Sequence, residues 1–209
     1  MALSLRPENK RDKSPFYPSH RFFSPIVEGK YILGKLFYAW RWNTIEEKFA
    51  PSKGLDAGFR LDGYAKGLGS DFSFVRLEAD WKQYFNPLWK VRLKTRAAFG
   101  YETGDVPFYE RFYSDTAYRV RSFKVREQVP EGGKRAFIAG VEWGVPFLDN
   151  SVLPYLFFDV GHIWNGSYRI EDVTWTPGLG VDVRLPMLGE LRTGVSLDGT
   201  FSFSLGSGL

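Results

Sequence analysis

Residues 88–101, LWKVRLKTRAAFGY, place two kinds of side chain at alternating positions along the chain. The apolar positions are Trp89, Val91, Leu93, Ala97, Phe99 and Tyr101. The positions between them carry the cations Lys90, Arg92, Lys94 and Arg96. Because successive side chains of a β-strand point to opposite faces, this pattern predicts a strand with one apolar and one charged face.

The same alternation recurs along the chain, and no apolar face in the set contains a charge. Soluble sandwich strands usually have about 5–6 residues, whereas these have about 9–14, near the length that crosses a bilayer at a tilt. We therefore predict an all-β fold, an antiparallel transmembrane β-barrel of about 8–10 strands per chain, which closes alone or completes a larger barrel with a second chain. A soluble sandwich or lipocalin-like barrel is the alternative. The nine predicted strands are 31–43, 54–66, 71–84, 88–101, 134–147, 152–164, 173–186, 189–197 and 200–208.

Composition favours the same class of protein. Aromatic residues make up 18% of the chain, and 22 residues are glycine, as in all-β proteins with close strand contacts. The chain has no cysteine, which excludes disulfides and thiolate metal sites, and its net charge of +4 does not indicate nucleic acid as a partner. Tryptophan and tyrosine fall near the predicted strand ends, as in an interfacial aromatic belt. They are Trp40, Trp42, Trp81, Tyr84, Trp89, Tyr101 and Trp164.

The predicted domain organisation is simple. Residues 1–30 form a polar lead-in, in which 20–28 would make one short, tenth strand, and residues 31–209 form the barrel domain. The first twenty residues lack the apolar core of a signal peptide. Either the chain is cytosolic, or it is an outer-membrane protein whose leader is absent from this sequence, and the barrel pattern favours the second.

Three of the connections are long, at 44–53, 102–133 and 165–172, while the others are short turns. Barrels of the outer-membrane type have short turns at one rim and long loops at the other. We therefore expect the loop 102–133 to be extracellular, or to enter the lumen.

Several motifs, spread over about residues 31–209, occur together in this chain. They are FAPSKG (49–54), VPFYERFY (106–113), VRSF (120–123), Glu142 in VEWGVP, Asp159 in FFDVGHIW, GLGVDVRLPMLGELR (178–192) and FSFSLGSGL (201–209). In their order and spacing they resemble the bacterial surface antigen superfamily of BamA- and TamA-like outer-membrane insertases and translocases. The resemblance is to its C-terminal barrel portion, without POTRA domains, and Ser122 stands where the family has glycine.

The resemblance implies two groups of site residues. In the first, Arg121, flanked by Val120 and Phe123, would enter the lumen with its loop and pair with the wall carboxylates Glu142 and Asp159. The alternative is a loop arginine in solvent. In the second, the last strand would supply an assembly signal and a weak seam against residues 31–43. The residues of this seam are Phe201, Phe203, Leu205 and Leu209.

The function that the resemblance implies is insertion or translocation of outer-membrane proteins. The expected partners are outer-membrane lipid, a second copy of the chain and client outer-membrane proteins, in a Gram-negative outer membrane rather than an organelle envelope. A homodimeric barrel would give the aromatic-rich loop more room than nine or ten strands can enclose. The alternatives are a passive pore, a structural anchor, or the barrel domain of a larger patatin-type or secretion protein. We predict no enzyme, catalytic residue, cofactor or metal, because the two histidines, His20 and His162, have no spaced partners.

Overall fold

The described part of the chain folds into one large antiparallel sheet and a separate short ribbon. The computed structural model describes residues 2–5, 29–46, 49–88, 90–113, 121, 129, 131–185 and 189–206. In the ribbon, β1 (Ala2–Leu5) pairs with β2 (Gly29–Ile32). Nine strands follow in the large sheet, and each pairs with the next along the chain. They are β3 (Lys35–Asn43), β4 (Gly54–Tyr64), β5 (Phe74–Phe85), β6 (Arg92–Gly104), β7 (Arg135–Gly144), β8 (Val152–Trp164), β9 (Thr174–Leu185), β10 (Gly189–Ser196) and β11 (Phe201–Gly206).

The all-β prediction is confirmed, and its nine strands correspond to the nine strands of the sheet. The largest boundary differences are at the strand predicted at 88–101, which spans Arg92–Gly104, and at the first strand, where residues 29–32 pair with β1 and the sheet begins only at Lys35. Gly34 lies at the break, and it is so close to the backbone oxygen of Leu68 that a Cβ at this position would collide with that oxygen. The strand β1 was not predicted, and the strand predicted at 20–28 lies outside the described residues.

One face of the sheet is apolar and exposed along its whole width. This apolar face includes Leu36 on β3, Leu179 on β9 and Phe201 on β11, with exposed fractions of 73%, 57% and 62%. Such a continuous exposed apolar surface is rare on soluble monomers, whose largest apolar patches are about a few hundred Å². It is the surface that a membrane barrel turns toward lipid.

The opposite face, called the polar face below, carries the charged side chains, and many of them are buried. The buried charged residues include Asp62, Glu102, Glu142, Asp159 and Asp182. This is the reverse of a soluble protein, in which charged residues are almost never fully buried unless paired. No helix in the described ranges is long and apolar enough to cross a membrane.

Two details of the predicted arrangement were wrong. Tyr84 does not belong to an outer aromatic belt, because its cross-strand neighbours are Gly54 and Lys94, which places it on the polar face. The long connection 44–53 does not share a rim with the loop between β6 and β7. It follows β3, and in an antiparallel sheet the connections after odd and even strands lie at opposite rims. Trp89 of the predicted belt lies outside the described residues.

The sheet has two free edges, at β3 and β11. No backbone pairing joins them within the part of the chain that the structure describes, and every residue of β3 is exposed. Because the sheet has nine antiparallel strands, its first and last strands run in the same direction. Direct closure of this sheet on itself would therefore join two parallel strands.

The lipid-facing assignment predicts a depth-dependent penalty for arginine on the apolar face. Leu179→Arg, in the middle of β9, should lower the free energy of unfolding in phospholipid vesicles by about 2–4 kcal/mol. Gln83→Arg lies on the same face near the end of β5, and it should cost only about 0–1 kcal/mol. Denaturant unfolding of both variants, followed by tryptophan fluorescence, measures the difference. Equal effects at the two positions would contradict a lipid-facing sheet.

Candidate functional site

The loop after β6 folds back over the polar face of the sheet. Its first part makes a short 3-10 turn at Phe108–Glu110. Phe112 follows and is only 1% exposed, because it packs against Ala136 and Ile138 of β7 and Ile163 of β8. The start of the loop is therefore part of the core rather than an exposed tip.

Arg76 on β5 binds this part of the loop to the polar face of the sheet. Its Nη1 donates to the backbone oxygen of Glu110 at 3.1 Å and to a carboxylate oxygen of the same residue at 3.2 Å. Its guanidinium also lies 4.8 Å from the ring centre of Phe112, in a cation–π contact. Alternation placed Arg76 on the polar face, but nothing in the local sequence indicates that Glu110 folds back over it.

Deeper on the polar face, the structure places Arg121 beside Glu142 and Asp159. The Nη2 of Arg121 donates to Oε1 of Glu142, and its Nε lies 3.5 Å from Oδ2 of Asp159. All three side chains are buried, and Asp159 is 0% exposed. Val120 and Phe123, named with Arg121 from the sequence, lie outside the described residues.

Further charged residues join this group, which we call the latch cluster. Lys94 and Arg192 reach Oε2 of Glu142 at 3.1 and 2.5 Å, while Arg96 reaches Asp159 at 2.8 Å. Arg192 also lies 3.3 Å from Asp182. The latch cluster consists of Lys94, Arg96, Arg121, Glu142, Asp159, Asp182 and Arg192.

Strand register brings these wall residues together. Lys94 is the direct cross-strand neighbour of Glu142, and Arg192 is that of Asp182. Opposite charges at such positions attract because their Cβ atoms are about 4.5–5.5 Å apart. The contact of Arg192 with Glu142 spans several strands, so the sequence pattern alone gave no signal for it.

Two aromatic rings form a platform beneath Arg121. Its guanidinium lies 4.1 Å from the ring centre of Phe157 and 5.6 Å from that of Tyr155. Both rings lie across glycines of β9, and a Cβ at Gly178 or Gly180 would collide with them. Sequence reasoning missed these rings because it expected the polar face of β8 to be hydrophilic, although the spacing of the two glycines was a usable signal.

The residues of the predicted seam lie along the free edge at β11. Phe201, Phe203 and Leu205 are all on the apolar face and are 57–62% exposed. Leu209 lies outside the described residues. The N–H of Ser196 donates to the backbone oxygen of Thr200 at 3.0 Å and so closes the turn before β11.

This closing bond determines which peptide groups of β11 point to the free edge. In an antiparallel ladder, hydrogen-bonded and non-bonded pairs alternate along the strands. The pairs that β10 makes with Phe201, Phe203 and Leu205 are therefore the non-bonded ones. The N–H and C=O groups of these three residues point away from β10, toward the edge.

The FAPSKG motif lies at the opposite rim from the loop. Ala50, which has a φ of 44°, and Pro51 are both buried. They line a cavity of about 60 Å³ together with Lys94 and Glu142. This turn therefore covers the latch cluster from the side opposite Arg121's loop.

His162 is placed on the apolar face at the rim of the sheet. It is the cross-strand neighbour of Phe137, and its ring stacks on that of Trp164 with centres 5.2 Å apart. Tyr168 completes the aromatic group at 5.8 Å from His162. Within the described ranges, no group of three or more histidine or acidic side chains is arranged to hold a metal ion.

Comparisons with known proteins agree with this geometry. The Omp85 superfamily domain matches residues 4–208. The outer membrane protein assembly factor BamA of Nitratidesulfovibrio vulgaris is 25% identical over 207 residues, covering 86% of this chain and 26% of BamA. The crystal structure of BamA from Haemophilus ducreyi lacking POTRA domains 1–3 matches with a TM-score of 0.67 and 18% identity, covering 81% of this chain and 40% of that one.

These matches confirm three predictions made from the sequence. They confirm the resemblance to the barrel portion of BamA, the membrane β-barrel fold class, and the location in a Gram-negative outer membrane. The chain spans about a quarter of the length of the curated relative and less than half of the solved one.

The latch cluster predicts a large effect from removing its central carboxylate. Glu142→Ala leaves the buried Arg121 and the partly buried Lys94 and Arg192 without their shared partner, so it should cost about 3–5 kcal/mol of unfolding free energy. Glu171→Ala, at an exposed position of the β8–β9 connection, is the matched control and should change it by less than about 0.5 kcal/mol. Denaturant unfolding in detergent micelles measures both. A small effect at Glu142 would show that solvent screens the cluster.

Proposed function

Because this chain belongs to the Omp85 superfamily, we propose that it forms part of an outer-membrane barrel that assists the insertion of other outer-membrane proteins. The observation that carries the proposal is the free edge at β11. A sheet edge with unpaired N–H and C=O groups is a template for another strand, and this is how β-augmentation recruits extended segments.

The chemistry of the β11 edge suits a client that is itself a membrane strand. Its apolar face carries Phe201, Phe203 and Leu205, and its polar face carries Ser202 and Ser204. A client strand with the same alternation would continue both faces of the sheet. The proposed partners are therefore outer-membrane lipid along the apolar face and unfolded outer-membrane proteins at the edge.

We further propose that the barrel contains two copies of this chain. A nine-stranded sheet has two edges that must find partners in a bilayer, where each unsatisfied peptide group costs several kcal/mol. A twofold axis along the membrane normal would bring β11 of one copy toward β3 of the other. These strands run in the same direction, so an intervening strand at each seam would restore antiparallel pairing.

The segment before β3 is the proposed source of that intervening strand. The sequence 20–28, HRFFSPIVE, has the alternation of a short strand with one proline, which suits a seam position better than the centre of a sheet. With one such strand from each copy, the barrel would contain about twenty strands, within the range known for single-chain barrels. This size would also give the folded-back loop space inside the lumen.

The proposed role of Arg121 is to hold its loop over the polar face. The guanidinium is fixed by two carboxylates and two rings, and both carboxylates are engaged in ion pairs with it. We therefore propose a structural role for the latch cluster and no enzymatic activity for the chain.

Edge pairing predicts that proline in β11 will impair insertion. Phe203→Pro removes an N–H that points to the free edge, while the bonds to β10 stay intact. Vesicles containing this variant should fold an unfolded eight-stranded barrel about tenfold more slowly than those containing the unaltered protein, since one hydrogen bond is lost at the contact. The folded fraction is measured from the mobility of unboiled samples on gels.

Phe203→Ala is the matched control, because it also removes the ring but keeps the N–H. It should retain a rate close to that of the unaltered protein. If the proline and alanine variants insert the client equally fast, the β11 edge is not the contact site.

The dimer proposal predicts which crosslinks will form between chains. The chain has no native cysteine, so Tyr38→Cys on β3 and Phe203→Cys on β11 can be placed on two differently tagged chains expressed together. Neighbouring strands are about 4.8 Å apart, so an intervening strand separates these positions by about 10 Å. A bismaleimide of that span should join the two tagged chains, whereas a disulfide, which needs Cβ atoms about 3.5–4.5 Å apart, should not form.

Other crosslinking results would revise the proposal in defined ways. Efficient disulfides between the two tags would indicate a direct parallel seam without an intervening strand. A chain carrying both cysteines that crosslinks only within itself would rule out the two-copy barrel.

A further inference from the structure

A second cavity lies between the latch cluster and the edge strand β11. Its volume is about 160 Å³. Three arginines converge on it, and no carboxylate lines it among the described residues. The lining residues are Arg96, Arg121, Tyr155, Arg192, Ser202, Phe203 and Ser204.

The lining of this cavity is positively charged. All three of its arginines also pair with carboxylates of the latch cluster, but none of those carboxylates lines the cavity. A cleft lined by charges of one sign has a potential that attracts the opposite sign, so an anion is favoured here.

Arg121 presents a buried donor group that suits an anion. The residue is 8% exposed, its Nη2 is bound to Glu142, and its Nε lies near Asp159. Its Nη1 is buried and has no hydrogen-bond partner among the described residues. A guanidinium presents its donors in a planar fork that suits the two oxygens of a carboxylate or phosphate.

The uncharged groups that line the cavity do not take the place of an anion beside the arginines. The hydroxyl of Tyr155 donates to the backbone oxygen of Thr193 at 3.0 Å and accepts from Arg192 at 3.3 Å. The hydroxyl of Ser202 donates to the backbone oxygen of Gly194 at 3.2 Å. Neither supplies a negative charge to the arginines.

We propose that this cavity binds a carboxylate or phosphate group. One water takes about 30 Å³ of liquid volume, so the cavity has room for one such group and a few waters. Because the lining includes three consecutive residues of the edge strand β11, the group has two sources. It is a free oxyanion from solution, or the acidic side chain of a strand paired with β11. The second source rests on the proposed function.

Phosphate titration of the purified protein in detergent tests the site without any client. Inorganic phosphate, compared with chloride at equal ionic strength, should raise Tm saturably by about 5–10 °C at a hundredfold excess over Kd. Ser204→Asp places a carboxylate in the cavity, and it should raise Tm without phosphate and abolish the phosphate response. Ser73→Asp, at an exposed position before β5, is the control and should keep that response.

Two synthetic peptides distinguish the sources. Each has about ten residues that alternate between apolar and polar, so that it can pair with β11. The two differ at one polar position, which is Glu in one peptide and Gln in the other. Stronger binding of the Glu peptide, with competition by phosphate, assigns the group to a paired strand. A phosphate response without any preference between the peptides assigns it to solution. The proposal is overturned if phosphate acts no differently from chloride and Ser204→Asp lowers Tm. The phosphate response does not depend on insertion, so failure of the Phe203→Pro test leaves it unaffected.

Discussion

The buried carboxylate of Glu142 connects four parts of the chain. It lies on β7 and contacts Lys94 from β6, Arg192 from β10 and Arg121 from the loop. In the interior of the sheet, such a carboxylate is stable only while its cations are present, and each cation only while the carboxylate is present. The position of the loop and the pairing of the wall strands therefore depend on each other.

Two independent constraints favour the observed register between β6 and β7. A shift of one residue between β6 and β7 would move the cations of β6 onto the lipid-facing side and bring its apolar residues onto the polar face. It would also separate Lys94 from Glu142, which are now directly opposite. The glycines at 178 and 180 add a third condition, because only residues without a Cβ leave space for the rings of Tyr155 and Phe157.

The strands and their faces could be predicted from sequence because the alternation is local. Whether a residue is apolar or polar indicates the face of the sheet on which its side chain lies. Arg121, Glu142 and Asp159 were named together only through a resemblance, and the structure places them in contact. Contacts across several strands, such as that of Arg192 with Glu142, depend on how far the sheet curves, which no local pattern records. The strand β1 was missed for a similar reason, since its partner β2 lies 24 residues away from its end.

The count of strands restricts what can complete the membrane-spanning unit. In a bilayer, the free edges of β3 and β11 need partners, because lipid offers no hydrogen bonds to their peptide groups. Both edge strands run the same way, so a complement that pairs antiparallel at both seams must begin and end with strands running the opposite way. Such a complement has an odd number of strands. The two-copy arrangement proposed above would supply eleven, nine from the partner and one at each seam. One strand is also an odd number. A single client strand, as proposed above, would therefore pair antiparallel with both β3 and β11.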